Sequence, residues 1–185
     1  MKVFLKIFIV ALIFSSLSIQ VCTAKTIRDT SGRFSFETSD TWQLHKLGAD
    51  SSSNIELISI KLDDNTFVMF NQAKVQVPYE KFSLMNTSDK TALKNALVEY
   101  HVNDSKKKGY NLTVNKEEIY NDGIFLGFIL ENKGTKYALA EMYFVKNYKM
   151  YSLYISGTEH TIKESSNTAL TLKIDGVKFS DWFKS

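Results

Sequence analysis

Residues 124–145 read IFLGFILENKGTKYALAEMYFV, with apolar side chains at odd and even positions on both sides of Lys133-Gly134. A strand wetted on one side alternates apolar and polar residues, so runs like these predict strands covered on both faces. The pattern extends to four strands in a meander, at 111–120, 124–131, 136–145 and 150–156. Asp122-Gly123, Lys133-Gly134 and Asn147 stand between them, residue types that accept positive φ in tight turns.

The first half of the chain is more polar. RFSFETSDTWQLHKL, residues 33–47, alternates on either side of a polar turn at 38–41 and predicts two short strands. Strands at 55–62 and 66–77 come next, joined by Asp63-Asp64-Asn65, and Pro78 closes the second because it has no N–H for a ladder. Residues 88–108 change period: Leu93, Ala96, Leu97 and Tyr100 recur at helical spacing and form one apolar stripe. Thr87 or Ser88 is expected to cap this helix, with Lys106, Lys107 and Lys108 at its carbonyl end and Gly109 as its stop. A weaker helical pattern at 158–174 uses Ile162, Ala169 and Leu172.

These elements predict an α+β fold, an antiparallel sheet with helices covering both of its faces. FSFETSDTW, from Phe34 to Trp42, resembles the opening of PsbP-like domains, and LKIDGVKF, from Leu172 to Phe179, resembles their closing segment. Ser39 stands where that superfamily usually has proline, and Thr41 where glycine is common. The order of strand pairs, helix, four-strand meander and helix is also similar. The fold is that of the photosystem II extrinsic protein, a Ran-binding import factor and the envelope protein DcrB. The resemblance implies an α/β/α sandwich with a non-enzymatic binding or scaffolding role, and it supplies no catalytic residues.

The leader sets the expected compartment. Lys2 and Lys6 precede a uniformly apolar run at 7–14, and serines dilute the stretch after it, the order of a secretory signal. The strongly apolar run is far shorter than the roughly 20 residues a membrane-spanning helix needs. Cys22-Thr23-Ala24 puts small side chains at −3 and −1 of a cut after Ala24, whereas Val21 and Gln20 fit a lipoprotein signal poorly. The expected organisation is a cleaved signal peptide at 1–24 and a single domain at 25–185. Cys22, the only cysteine, leaves with the leader, and the membrane is reached only if the leader stays uncleaved.

Composition narrows the function classes. Removing Lys2 and Lys6 takes the formal net charge from +3 to +1, which gives no electrostatic reason to expect nucleic acid. Hydrophobic residues at 44% and aromatic ones at 13% can build a packed core without a disulfide. Arginine occurs only at Arg28 and Arg33 among many lysines, a bias that points to an AT-rich bacterial genome. Sequons at Asn86, Asn103 and Asn111 fall within chance in so asparagine-rich a chain.

Candidate chemistry is sparse. His160 and Glu164 share a helical face, but spacing offers no third zinc ligand. Asp63-Asp64-Asn65 lacks the glycine and distal glutamate of a calcium loop and reads as a turn. Ser105 and Lys108 match S-x-x-K without its companion motifs. His101 reads as a solvated or half-buried side chain near the helix end, and His45 suggests no role. No cofactor is expected. Tyr137, Tyr143, Tyr151 and Tyr154 crowd the last two strands, either as cross-strand packing or as a candidate partner surface.

The expectation is therefore an exported, non-enzymatic protein-binding or scaffolding domain, in the periplasm or outside the cell, with another envelope or secreted protein as partner. A carrier of a small apolar ligand is the alternative, and a hydrolase comes last.

Overall fold

The structure, a computed structural model, describes residues 25–46 and 54–184. The leader, the cut after Ala24 and Cys22 lie outside the described residues. In chain order the elements are β1 (Lys25–Arg28), β2 (Phe34–Thr38), β3 (Gln43–Leu44), β4 (Asn54–Lys61), β5 (Phe67–Gln76), a 3-10 turn (Phe82–Leu84) and α1 (Thr87–Lys107). Then come β6 (Asn111–Ile119), β7 (Ile124–Asn132), β8 (Thr135–Lys146), β9 (Lys149–Thr158), α2 (Ile162–Ala169), β10 (Lys173–Ile174), β11 (Val177–Lys178) and α3 (Phe179–Lys184).

The chain is mostly antiparallel sheet with helices, an α+β fold. A seven-stranded sheet has the order β3-β4-β5-β9-β8-β7-β6, and a four-stranded sheet has the order β1-β2-β10-β11. Strands β6 to β9 each pair with the next, and the β7–β8 and β8–β9 turns use left-handed backbone, whereas Asp122 and Gly123 in the β6–β7 turn do not have the positive φ expected of them. Lys133 and Gly134 have φ of 50° and 81°, and Asn147 and Tyr148 have φ of 52° and 63°. In these two-residue hairpin loops both central positions need positive φ, because that twist matches the flanking strands.

Apolar residues at odd and even positions feed two separate clusters. Ile124, Leu126, Phe128, Tyr143 and Val145 meet Phe82, Met85 and, from α1, Leu93, Leu97 and Val98. Phe125, Ala138, Ala140, Phe144, Leu153 and Ile155 point the other way. There they meet Phe34 and Phe36 of β2, Ile162 and Ala169 of α2, and Phe179 and Trp182 of α3. Phe70, Phe144 and Tyr151 stack with centroids 5.7–6.1 Å apart, and Phe179 and Trp182 meet them edge-on. Offset and edge-to-face pairs of this kind add to the area they bury.

The helices correct several expectations. Asn86, rather than Thr87 or Ser88, caps α1: its Oδ1 accepts the Asp89 N–H at 2.8 Å, while its Nδ2 donates to Asp89 Oδ2 at 2.9 Å. Ala96 and Tyr100 face solvent, and the inward stripe runs through Leu93, Leu97, His101 and Ser105. That stripe keeps to i, i+4 steps, which admit a histidine and a serine that a search for apolar residues passes over. The weaker pattern at 158–174 becomes the short α2. Ser165 and Ser166 turn their hydroxyls back to the carbonyls of Thr161 and Ile162, competition typical of serine within helices. Leu172 is buried beyond the helix end.

Candidate functional site

Strand register builds the most unusual feature of the fold. On β8, Tyr137, Leu139, Glu141, Tyr143 and Val145 share the face that α1 packs against. Tyr143 lies opposite Ser152 of β9, Ser152 opposite Asn71 of β5, and Asn71 opposite Glu56 of β4. The neighbouring rung runs Glu141, Tyr154, Met69, Ser59 across the same strands. Two adjacent rungs spanning four strands are thus polar but for Met69.

This stripe is largely buried. Ser59 is 1% exposed, Asn71 5%, Glu141 6%, and Tyr143 and Ser152 7% each. Among the described residues, Ser59 Oγ, Asn71 Oδ1 and Glu141 Oε2 are buried atoms without a hydrogen-bond partner, as is Thr38 Oγ1 on β2. Each such atom costs about 1–3 kcal/mol unless something satisfies it. Three of them fall in two adjacent rungs.

His101 of α1 reaches into one end of the stripe. Its Nε2 stands 2.8 Å from the Tyr143 hydroxyl and 2.9 Å from Glu141 Oε2, the second contact lying off the line of a hydrogen bond. The Tyr143 hydroxyl also bonds the Glu141 carboxylate. A carboxylate only accepts, so Tyr143 donates to Glu141 and accepts from the His101 N–H. Burial, then the Glu141 charge, pushes the Tyr143 pKa well up, and burial does the same for Tyr154 beside Glu141 and Asp104. Both hydroxyls therefore keep their protons as donors. Phe67 stacks on Tyr154 with centroids 5.4 Å apart.

The four tyrosines do not share one surface. Tyr143 is buried, and Tyr137 and Tyr154 are half-buried on the face beneath α1. Tyr151 is half-buried on the opposite face, stacked with Phe70 and Phe144, and burial raises its pKa. Glu164 does not pair with the exposed His160. It accepts from the indole N–H of the fully buried Trp42 at 2.8 Å. Asp63 accepts from the Asn65 N–H at 2.8 Å and Asp64 pairs with Lys61 at 2.9 Å, so this trio forms a turn. Ser105 is buried, and Lys108 pairs with Asp104 at 2.7 Å. His45 is half-buried, its backbone N–H bonded to the Ser59 carbonyl. Among the described residues no group of three or more His, Cys, Asp or Glu is placed to hold a metal ion. No helix among them is long and apolar enough to cross a membrane.

A second feature lies at the sheet end around the β8–β9 turn, where Val75 is 72% exposed and Tyr148 49%. The Tyr148 carbonyl accepts from the Val77 N–H at 2.9 Å, and Lys81 bridges Lys146. Lys149 pairs with Gln76, and Leu84 is a further exposed apolar side chain. Burial, then the charge of Lys81, lowers the pKa of Lys146, which sits over the Trp182 ring at 4.7 Å. Exposed apolar tips are thus set among lysines at the end of the sheet.

No family model and no curated protein matches the sequence. Solved structures do resemble the fold. The solution structure of cyanobacterial PsbP (CyanoP) from Synechocystis sp. PCC 6803 superposes with a TM-score of 0.51 at 10% identity, covering 85% of this chain and 95% of that one. A crystal structure from Bacteroides thetaiotaomicron VPI-5482 gives a TM-score of 0.45 at 16% identity, over 81% of this chain and 48% of that one. The chain has a PsbP-like fold.

Proposed function

We propose that this PsbP-like chain is an exported, non-enzymatic docking domain that binds another envelope or secreted protein through the end of the sheet around Tyr148. The observation that carries the reading is the grouping there of exposed Val75 and Tyr148 with Lys81 and Lys149. Tyrosine is enriched at interfaces because it offers large, rigid contact area with a polar tip. The lysines select a partner with an acidic surface, since complementary charge guides encounter and register. Tyr148 is held in left-handed backbone, which disfavours side chains other than those of Gly, Asn and Asp.

In this reading the four-strand meander and its helices form an α/β/α sandwich, a rigid frame that presents the turn. Its interior favours docking over transport of an apolar ligand, because Trp42, Phe36, Phe70 and Phe82 fill it with large side chains.

A photo-crosslinking residue placed at position 148 in exporting cells tests the proposal. The same adduct is expected from position 75, is absent with the residue at position 177, and is lost when Lys149→Glu is added. Crosslinking that is equal at positions 148 and 177 overturns it, and so does retention of the full-length, uncleaved chain in the cytoplasm.

A further inference from the structure

A depression of about 610 Å³ lies open to solvent where α1 ends and the β7–β8 turn begins, at the opposite end of β8 from Tyr148. Lys108, Tyr110 and Asn111, between α1 and β6, line it together with Glu131, Asn132 and Lys133 of β7 and its turn. Its volume is in the range of small-ligand sites, but its wall is mainly polar and does not suit an apolar molecule. The docking reading makes no use of it.

Backbone bonds place the aromatic ring. The Gly109 N–H donates to the Lys106 carbonyl at 3.1 Å and the Tyr110 N–H to the Ser105 carbonyl at 2.9 Å. This pair of bonds ends a helix on a left-handed glycine, here at φ of 74°. The residue in the position of Tyr110 commonly packs an apolar side chain back onto the last turn. Ser105 and Asp104 offer no apolar partner there, and Tyr110 stays 36% exposed beside the depression. Asn111 and Glu131 are directly opposed on β6 and β7, which sets their side chains next to each other on one face. A β-carbon added at Gly109 or Gly134, which complete the lining, would meet nothing within 4 Å, so the space over both is open.

The chemistry of the lining selects a ligand. Lys108 is held by Asp104 at 2.7 Å, which leaves Lys133 and Glu131, one charge of each sign. Among the described residues, the side chains of Tyr110, Asn111, Glu131, Asn132 and Lys133 make no hydrogen bond or ion pair with the protein. Together they offer donors and acceptors in balance: two amides and a phenol that do both, a carboxylate that accepts and an ammonium that donates. A hydroxyl also does both, so a row of neighbouring hydroxyls matches this set without any need for net charge. The exposed ring adds an apolar platform with a polar tip. A sugar ring has both features, hydroxyls around its edge and a face of C–H groups.

We propose that this depression binds a neutral oligosaccharide. One sugar ring lies with its C–H face on Tyr110, and its hydroxyls bond Asn111, Glu131, Asn132 and Lys133. Lys106, Lys107 and Lys136 stand outside the lining and would attract an acidic polymer by charge alone, so the test separates the two outcomes.

The purified chain is titrated with neutral hexasaccharides of the gluco-, galacto-, manno-, xylo- and N-acetylglucosamine series, followed by calorimetry and proton resonance. Hexagalacturonate and sodium chloride serve as references. At least one neutral series is expected to bind, one molecule per chain, with sugar C–H protons moved upfield by the Tyr110 ring. Tyr110→Ala and, separately, Asn132→Ala should each weaken it at least tenfold, a loss of about 1.4 kcal/mol. Tyr110→Phe keeps the ring and should weaken it less than Tyr110→Ala does. Val177→Ser, on the small sheet, should leave it unchanged. Tyr110 is exposed and Asn132 half-buried, so these variants are expected to fold, as circular dichroism will report. Failure of every neutral series to bind, binding untouched by both Tyr110→Ala and Asn132→Ala, or hexagalacturonate binding tighter than all of them until salt removes it each overturn the proposal.

Discussion

Ile162 rests directly on Gly157. A β-carbon at Gly157 would lie 2.8 Å from both the Cα and the amide nitrogen of Ile162, so the first turn of α2 touches β9 backbone to backbone. Ser165 reinforces the contact by donating to the Ser156 carbonyl at 2.9 Å.

Gly157→Ala should therefore lower stability by about 1–3 kcal/mol, the usual range for forcing extra atoms into a packed site. Urea unfolding will measure it as a lower midpoint at unchanged slope. An unchanged midpoint would mean that α2 shifts off the strand at no cost.

Trp42 makes a second such dependence. Its ring is fully buried, and its indole N–H is satisfied by Glu164 Oε1 at 2.8 Å. Glu164→Ala should cost about 1–2 kcal/mol by leaving that donor without its partner. Glu164→Gln, whose side-chain carbonyl still accepts, should cost less. Chemical denaturation of the two variants side by side distinguishes lost bonding from lost charge.

Tyr143 and Tyr154 set the alkaline limit. Their folded pKa values are raised, mainly by burial, above the unfolded value of about 10. Between the two values the unfolded chain gives up protons that the folded chain keeps. The stabilisation is thus fully present below pH of about 10 and is lost as pH climbs towards the folded values. Phenolate absorbance should rise in two stages, the second coinciding with loss of near-ultraviolet dichroism. Tyr154→Phe should move that second stage to higher pH.

Asp29 acts at the acid end. Burial alone would raise its pKa, but bonds from the Ser31 hydroxyl and from the Phe34 and Ser31 N–H groups outweigh it and bring the value below normal. Its contribution is complete above the unfolded value of about 4 and disappears as pH falls through the folded value. Asp29→Asn should flatten the acid side of the stability profile, as read from Tm against pH.

Tyr148 should trade binding against stability. Its φ of 63° suits glycine, so Tyr148→Gly is expected to change stability by no more than about 1 kcal/mol, in the favourable direction. The same change should abolish site-specific crosslinking from position 75. A variant that is both less stable and fully competent for docking would contradict both expectations.

Local pattern carries most of this architecture. The doubly apolar runs at 124–145, the Gly and Asn turns and the strongly punctuated helix are all signals within a few residues, and all appear as elements. The small sheet is only partly legible. Strand β1 is KTIR, with one buried residue, Ile27, and β10 and β11 have two residues each, too short for any period to register. The α1 stripe lies one step out of phase with the apolar pattern because Tyr100 looks apolar and His101 does not.

The polar stripe is not legible, for a different reason. Asn71 within FNQ, Ser152 within YSLY and Glu141 within LAEMY each look like the solvent side of an alternating strand. Only pairing of β5 with β9, strands about 80 residues apart in the chain, aligns them in rows. A signal is nonetheless present: a glutamate between Ala140 and Met142, inside the most apolar strand, is costly to bury without a purpose.

That β5–β9 pairing also governs when the sheet can close. β9 is the last long strand to be synthesised, yet it occupies the middle of the seven-stranded sheet. Until it arrives, the N-terminal hairpin and the later strands have no edge in common, and contacts of such long range make folding slow. The seven-stranded sheet can therefore close only late, once β9 is available to join its two halves.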